Sequence, residues 1–142
     1  MAVAFFPRAY SRSAPIASRQ EGDVEVQVFG RKKCPETRKA LRFFSDRRVR
    51  THFVDIDRKA PSRRELARFA DRFGPDAVID RDAPRYAELG LDAAHLSAPR
   101  ILERAEREPR LLRTPLVRWK DRVSVGFDDR AFRAWIDEAV VP

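Results

Sequence analysis

Alternating hydrophobic and polar residues mark the start of a regular pattern near residue 24. The segment "VEVQVF" (Val24–Phe29) alternates strictly, which predicts a strand with one face on a core. Apolar residues then recur at helical spacing, which predicts a helix from Pro35 to about Arg47. A second strand is predicted at "THFVDID" (Thr51–Asp57). The pattern therefore begins with a β-α-β unit.

The middle of the chain has a helical pattern. Ser62 and Glu65 have the spacing of a capping box, which predicts a helix through about Phe73. The segments "DAPRYAELGL" and "SAPRILERAERE" each predict one further short helix, with a proline near its start. Residues 61–108 are thus predicted to be a helical insertion rather than a second domain.

The last third of the chain returns to strand patterns. "PLVRW" (Pro115–Trp119) and "RVSVGF" (Arg122–Phe127) predict a hairpin, and Asp128 or Asp129 is predicted to cap a final helix. The order β-α-β, helices, β-β-α is that of a thioredoxin-like α/β fold. The predicted architecture is a four-stranded mixed sheet with helices on both faces and the helical insertion between the second and third strands.

Residues 1–22 differ in composition from the rest of the chain. They are rich in serine, alanine and arginine and carry no acid before Glu21, as transit peptides do. A disordered tail without a targeting role is favoured, and a start codon assigned too early is the other alternative. The predicted organisation is a disordered tail at 1–22 and one domain at 23–142.

Composition narrows the possible functions. The 142 residues are 43% hydrophobic, which suffices for one packed core, and no apolar run is long enough for a membrane helix. The net charge of +8 is spread along the chain among acids, so binding to nucleic acid is not expected. A single cysteine excludes an internal disulfide, and with only two histidines no structural metal is expected. A reducing cytoplasmic setting is favoured.

That cysteine, Cys34, lies between a predicted strand and a predicted helix. The positive end of the helix dipole and its unpaired N–H groups favour an anion there, and five cations from Arg31 to Lys39 surround it in sequence. Both effects lower the pKa of a thiol, so a reactive thiolate is predicted at neutral pH. The alternative is a buried, inert thiol. Because Thr37 occupies the place of the second cysteine in a C-x-x-C motif, regeneration needs an external thiol such as glutathione or a glutaredoxin-type protein.

Four segments in order resemble the arsenate reductase ArsC/Spx family of thioredoxin-fold proteins. They are "VFGRKKCPETRKAL", "APSRREL", "YAELGL" and "EPRLLRTPLVRWKDRVSVGFDD". The resemblance implies that Cys34 is the nucleophile, that glutathione is a co-substrate with no bound cofactor, and that Pro115 is the family's cis-proline beside the cysteine. It also implies anion-binding roles for Arg38 and for Lys32 of the G-x-K loop.

The chain departs from the arsenate enzymes at three positions. Thr114 stands where they have an arginine before the proline, and Asp80 stands where they have a second arginine. Arg113 and Arg81 are the neighbouring cations that could bind an anion instead. Gly30 replaces a histidine found in some members. These changes count against arsenate itself more than against thiol chemistry.

Three classes of function remain open from the sequence. The first is a glutathione- or glutaredoxin-dependent oxidoreductase that acts on an oxyanion or a mixed disulfide through Cys34. The second is a non-enzymatic regulator that binds RNA polymerase, as Spx proteins do, although Thr37 excludes a C-x-x-C disulfide switch. The third is a redox-silent member with a structural cysteine.

Overall fold

The computed structural model describes residues 25–140. The predicted tail, residues 1–22, lies outside this range, so the domain boundary at residue 23 stays a prediction. Four strands and seven helices, in addition to a short 3-10 helix at Pro109–Leu111, make up the described chain. The strands are β1 (Val26–Gly30), β2 (Thr51–Asp55), β3 (Leu116–Trp119) and β4 (Arg122–Val125). The helices are α1 (Pro35–Asp46), α2 (Arg63–Phe73), α3 (Pro75–Val78), α4 (Pro84–Glu88), α5 (Leu91–Ala94), α6 (Ala98–Ala105) and α7 (Asp129–Val140).

The four strands form one mixed sheet in the order β2-β1-β3-β4. Strand β1 runs parallel to β2 and antiparallel to β3, and β3 pairs with β4 as a hairpin. The predicted fold class is therefore confirmed, because the sheet carries helices on both faces and the insertion lies between β2 and β3. None of the described helices is long and apolar enough to cross a membrane.

Each face of the sheet has its own hydrophobic cluster. Because side chains alternate along a strand, Val26 and Val28 of β1 face one cluster and Phe29 faces the other. Helices α1 and α7 cover the first cluster, which contains both tryptophans, Trp119 and Trp135. Helix α2 and the rest of the insertion cover the second cluster. Both tryptophans pack in the core, since they are 5% and 6% exposed.

The insertion contains the three predicted helices as α2, α4 and α6, and two four-residue helices, α3 and α5, that were not predicted. Both hydrogen bonds of the Ser62–Glu65 capping box are present at the start of α2, and Gly74 ends this helix. Pro75 then starts α3, because a proline is tolerated at a first helical position. The short helix predicted for "DAPRYAELGL" is confirmed as α4, and Gly90, with φ 70°, separates it from α5, which was not predicted.

Candidate active site around Cys34

The loop after β1 places Cys34 at the start of α1. A turn in which the Cys34 N–H donates to the carbonyl of Arg31 at 3.0 Å brings the chain round. Cys34 is the N-cap residue, with extended φ and ψ, and Pro35 is the first residue of the helix. The first helical hydrogen bond runs from the Arg38 N–H to the Cys34 carbonyl at 3.1 Å. The sulfur therefore lies at the end of the helix that favours an anion.

Strand β3 brings a second segment to the cysteine from eighty residues away. Leu116 pairs with Phe29, so the residues that precede β3 reach the same edge of the sheet as the loop after β1. The Thr114–Pro115 peptide is cis, which confirms the prediction. The Thr114 hydroxyl donates to Cys34 Sγ at 3.2 Å, and the thiol can donate to the Thr114 carbonyl at 3.8 Å.

Two opposing effects act on the pKa of the Cys34 thiol. Partial burial raises the pKa, because it removes water from the charged form. The hydroxyls of Thr114 and Thr37 and the N–H groups of Thr37 and Glu36 favour the thiolate and outweigh burial, so the pKa lies below that of an ordinary thiol. Of these donors in the described chain, only Thr114 is at full hydrogen-bond geometry.

Thr37 also has a packing role that its position in the motif did not indicate. The residue is completely buried, and its Oγ1 has no hydrogen-bond partner within the described chain. Its side chain lies against Gly30, where an added Cβ would come within 2.4 Å of Oγ1 and 2.6 Å of Cγ2. Gly30 thus lets α1 approach the end of β1 closely. This contact fixes the distance between the helix that carries Cys34 and the sheet.

The predicted cations near the sulfur are exposed. Lys32 lies in the turn before Cys34, and Arg38 lies one helical turn after it. Lys39 places its Nζ over the ring of Phe127, 4.8 Å from the centroid. Glu36, the acid of this turn, accepts a hydrogen bond from the Phe127 N–H at 3.3 Å. The lowered pKa of the thiol is therefore due to hydrogen bonds and not to these exposed cations, which were predicted to lower it.

The other two predicted anion-binding residues do not contact Cys34. Arg113 is exposed, and its N–H bonds to the Val78 carbonyl at 2.8 Å. Arg81 is held within the insertion, where its guanidinium pairs with Asp76 and donates to the Tyr86 hydroxyl at 2.7 Å. The hydrogen bond to Asp76 is the main reason why the pKa of Arg81 is raised. Anion-binding roles for both residues stay predictions.

One contribution to the site was missed at the level of sequence. The sequence shows that Thr114 replaces an arginine of the arsenate enzymes, but it does not show that the Thr114 hydroxyl donates a hydrogen bond to the Cys34 sulfur. The available signal was its position directly before a proline that was expected to lie beside Cys34. No group of three potential metal ligands occurs within residues 25–140.

These features define a class of protein. Cys34 lies at the N-terminus of α1, beside a cis-proline that precedes β3, and the sheet is built from a β-α-β unit and a β-β-α unit. This arrangement is that of a thioredoxin-like thiol protein. Residues 29–135 match the ArsC family. The chain therefore belongs to the ArsC family.

Solved structures and sequence relatives agree with this assignment. The YffB (PA3664) protein superposes with a TM-score of 0.70 at 24% identity, over 77% of this chain and 96% of that one. An arsenate reductase from Vibrio cholerae gives 0.64 at 21% identity, over 72% and 89%. At these identities the likeness concerns the fold alone. The global transcriptional regulator Spx of Streptococcus agalactiae is 25% identical over 113 residues, which are 78% of this chain and 82% of that protein. Spx 2 of Oceanobacillus iheyensis is 26% identical over 113 residues, which are 78% and 83%.

Proposed function

We propose that this protein is a glutathione-dependent thiol oxidoreductase of the arsenate reductase type, with Cys34 as its single nucleophile. The observation that carries the proposal is the 3.2 Å hydrogen bond from Thr114 to Cys34 Sγ at the start of α1. A thiolate stabilised in this way, and still partly exposed, can attack a substrate at neutral pH. The cytoplasm, which supplies reduced glutathione, is the proposed setting.

The proposed reaction on a mixed disulfide has two exchange steps. The Cys34 thiolate attacks the glutathione sulfur of R–S–S–G, which forms Cys34–S–S–G and releases R–S⁻, which then takes up a proton. A second glutathione, as its thiolate, attacks the glutathione sulfur of this adduct, which gives oxidised glutathione and returns Cys34 as a thiolate. Overall, R–S–S–G and one free glutathione give R–SH and oxidised glutathione, and Cys34 is regenerated. A glutaredoxin can supply the second thiol in place of free glutathione.

The groups around the sulfur favour a disulfide over arsenate. Thr114 offers a neutral hydroxyl where an oxyanion would need a cation, and Arg81 is already paired with Asp76. Lys32 and Arg38, which are exposed and close to Cys34 along the chain, are suited to attract the carboxylates of glutathione. Arsenate reduction is therefore the weaker of the two proposed activities.

The test is a pair of assays on the wild-type protein and the Cys34→Ser variant. The first measures reduction of a glutathione mixed disulfide of 2-mercaptoethanol, coupled to glutathione reductase and NADPH. The second measures arsenate reduction with glutathione and an added glutaredoxin. We expect turnover in the first assay that disappears in Cys34→Ser and persists in Arg100→Ala, which removes an exposed cation of α6. No turnover above the Cys34→Ser background in either assay would refute the enzymatic proposal.

The second candidate is a regulator that binds RNA polymerase. It is favoured by the sequence relatives at 25–26% identity, which are named as global transcriptional regulators. With Thr37 in place of a second cysteine, such binding would not depend on an internal disulfide. Retention of RNA polymerase by the immobilised protein, equal for wild type and Cys34→Ser, together with no turnover, would support this candidate. If the immobilised wild-type protein does not retain RNA polymerase, the regulator candidate is excluded.

A further inference from the structure

A second group of cations lies at the end of the sheet away from Cys34. A cavity of about 350 Å³ opens there between α2 and the β3–β4 hairpin. Its walls carry four cations: Arg68 and Arg72 from α2, Arg118 from β3 and Lys120 from the hairpin turn. Cys34 lies in the chain beyond the C-terminal end of β1, whereas Arg118 pairs with Gln27 near the N-terminal end of the same strand. This cavity is therefore separate from the thiol site.

Arg118 is the cation at the base of this cavity. Its Nη1 donates to the amide oxygen of Gln27 at 2.9 Å, and its Nε is buried without a hydrogen-bond partner within the described residues. Burial, followed by repulsion from Arg68, lowers the pKa of this guanidinium below its usual value. Because a partly buried charge loses hydration, it gains more than an exposed one from a bound counter-ion.

The cations of the cavity are only partly neutralised by the acids beside them. Among residues 25–140, no carboxylate lies within ion-pair distance of any of the four cations. Asp71 and Asp121 also line the cavity, so four positive and two negative side chains give its wall a net charge of +2. Other exposed arginines of the described chain, such as Arg42 and Arg100, are also in no ion pair, so what distinguishes these four cations is that they line one cavity.

We propose that this cavity is a binding site for a small phosphate-bearing anion, with Arg118 at its base. The cations approach from two directions, because α2 supplies two of them and the hairpin supplies the other two. A tetrahedral phosphate presents oxygens to guanidinium forks on several sides at once, whereas a planar carboxylate presents two oxygens in one plane. Val123 adds an apolar wall that would suit the carbon part of a phosphorylated molecule.

The test uses inorganic pyrophosphate as the probe, titrated into the full chain by calorimetry at low ionic strength. We expect a dissociation constant in the millimolar range or tighter and a clear weakening as salt is added. The double variant Arg68→Ala/Arg72→Ala should bind about tenfold more weakly or worse, since two charge-assisted contacts are lost. The matched control is Arg42→Ala/Arg130→Ala, which removes the same charge from exposed positions on α1 and α7, on the opposite face of the sheet. It should change the affinity less than about twofold, as expected for distant charges.

Further measurements make the outcome specific. Arg118→Lys keeps the charge but not the guanidinium fork, and we expect weaker pyrophosphate binding with unchanged far-UV circular dichroism. Cys34→Ser should bind pyrophosphate as wild type does, so a failure of the proposed thiol activity would leave this result intact. Citrate, which has carboxylates only, should bind more weakly than pyrophosphate. Two results would overturn the proposal. One is an equal loss of pyrophosphate affinity in the two double variants. The other is no binding to the wild-type protein at 10 mM pyrophosphate, a concentration on the order of ten times the largest dissociation constant expected.

Discussion

At the scale of single residues, the reactivity of Cys34 depends on a balance between burial and hydrogen bonds. Burial alone would raise the pKa of the thiol, and the donors around the sulfur reverse this effect. Thr114 is the donor with full hydrogen-bond geometry, although it is distant in sequence and neutral. The Thr114 hydroxyl therefore stabilises the thiolate, as a cation would, but does not provide a positive charge that could bind an oxyanion.

Replacement of Thr114 by valine tests this balance. Valine has nearly the same shape but no donor, so we expect the pKa of Cys34 to rise and its alkylation at neutral pH to slow severalfold. The measurement is the rate of iodoacetamide alkylation against pH. Thr114→Ser, which keeps a hydroxyl, should stay close to wild type. An unchanged pH profile in Thr114→Val would contradict the role of this hydroxyl.

The same shift has a consequence for stability against pH. Because the folded-state pKa of Cys34 is lowered, its contribution is fully present above the ordinary pKa of a free thiol. This contribution is lost as the pH falls through the lowered pKa. The difference in unfolding free energy between wild type and Cys34→Ser should therefore increase as the pH rises between the two values, in urea titrations.

At the scale of secondary-structure elements, the site depends on how closely α1 approaches β1. Sequence patterns predicted both elements, with Pro35 at the first helical position, but not the contact between Gly30 and Thr37. That contact joins residues seven positions apart on two different elements, and periodicity within one element carries no information about it. Gly30 was noticed only because a histidine occupies its place in some relatives.

Gly30→Ala tests this close approach. An added Cβ would lie 2.4 Å from Thr37 Oγ1, so we expect a loss of about 1–3 kcal/mol in unfolding free energy, as in overpacked cores. The measurement is urea denaturation of Gly30→Ala, Thr37→Ala and the double variant. Because Thr37→Ala removes both clashing atoms, the double variant should lose less than the sum of the single losses. If the double variant instead loses the sum of the two single losses, the clash with Thr37 is not the cause of the destabilisation in Gly30→Ala.

At the scale of the whole molecule, the element order was enough to predict the fold. Capping at Ser62, the strand alternation of β1 and the hairpin spacing each matched the same architecture. The orientation of side chains on loops was not predictable in this way. Arg81 pairs with Asp76 inside the insertion instead of reaching the thiol, and the four-residue helices α3 and α5 are too short to show as a pattern. The cavity at Arg118 arises only when α2 packs on the sheet.

The sheet links the two hydrophobic clusters, which bears on whether the insertion folds as part of the domain. Phe69 of α2 packs edge-on against Phe29 of β1, with ring centroids 6.2 Å apart, while both tryptophans lie on the opposite face. If the insertion and the sheet unfold as one cooperative unit, a substitution of Phe69 must also destabilise the part of the fold that contains the tryptophans. An independent second domain would leave the tryptophan signal unchanged.

We therefore predict that Phe69→Ala destabilises the whole chain by about 3–5 kcal/mol, as expected for a large cavity in a core. Urea unfolding followed by tryptophan fluorescence and by far-UV circular dichroism should give one common midpoint, lowered equally for both signals. Phe73→Ala is the matched control on the same helix, because Phe73 is 42% exposed and its loss should cost less than about 1 kcal/mol. A fluorescence midpoint that stays at the wild-type value in Phe69→Ala, while the circular dichroism midpoint falls, would mean that residues 61–108 unfold independently of the sheet.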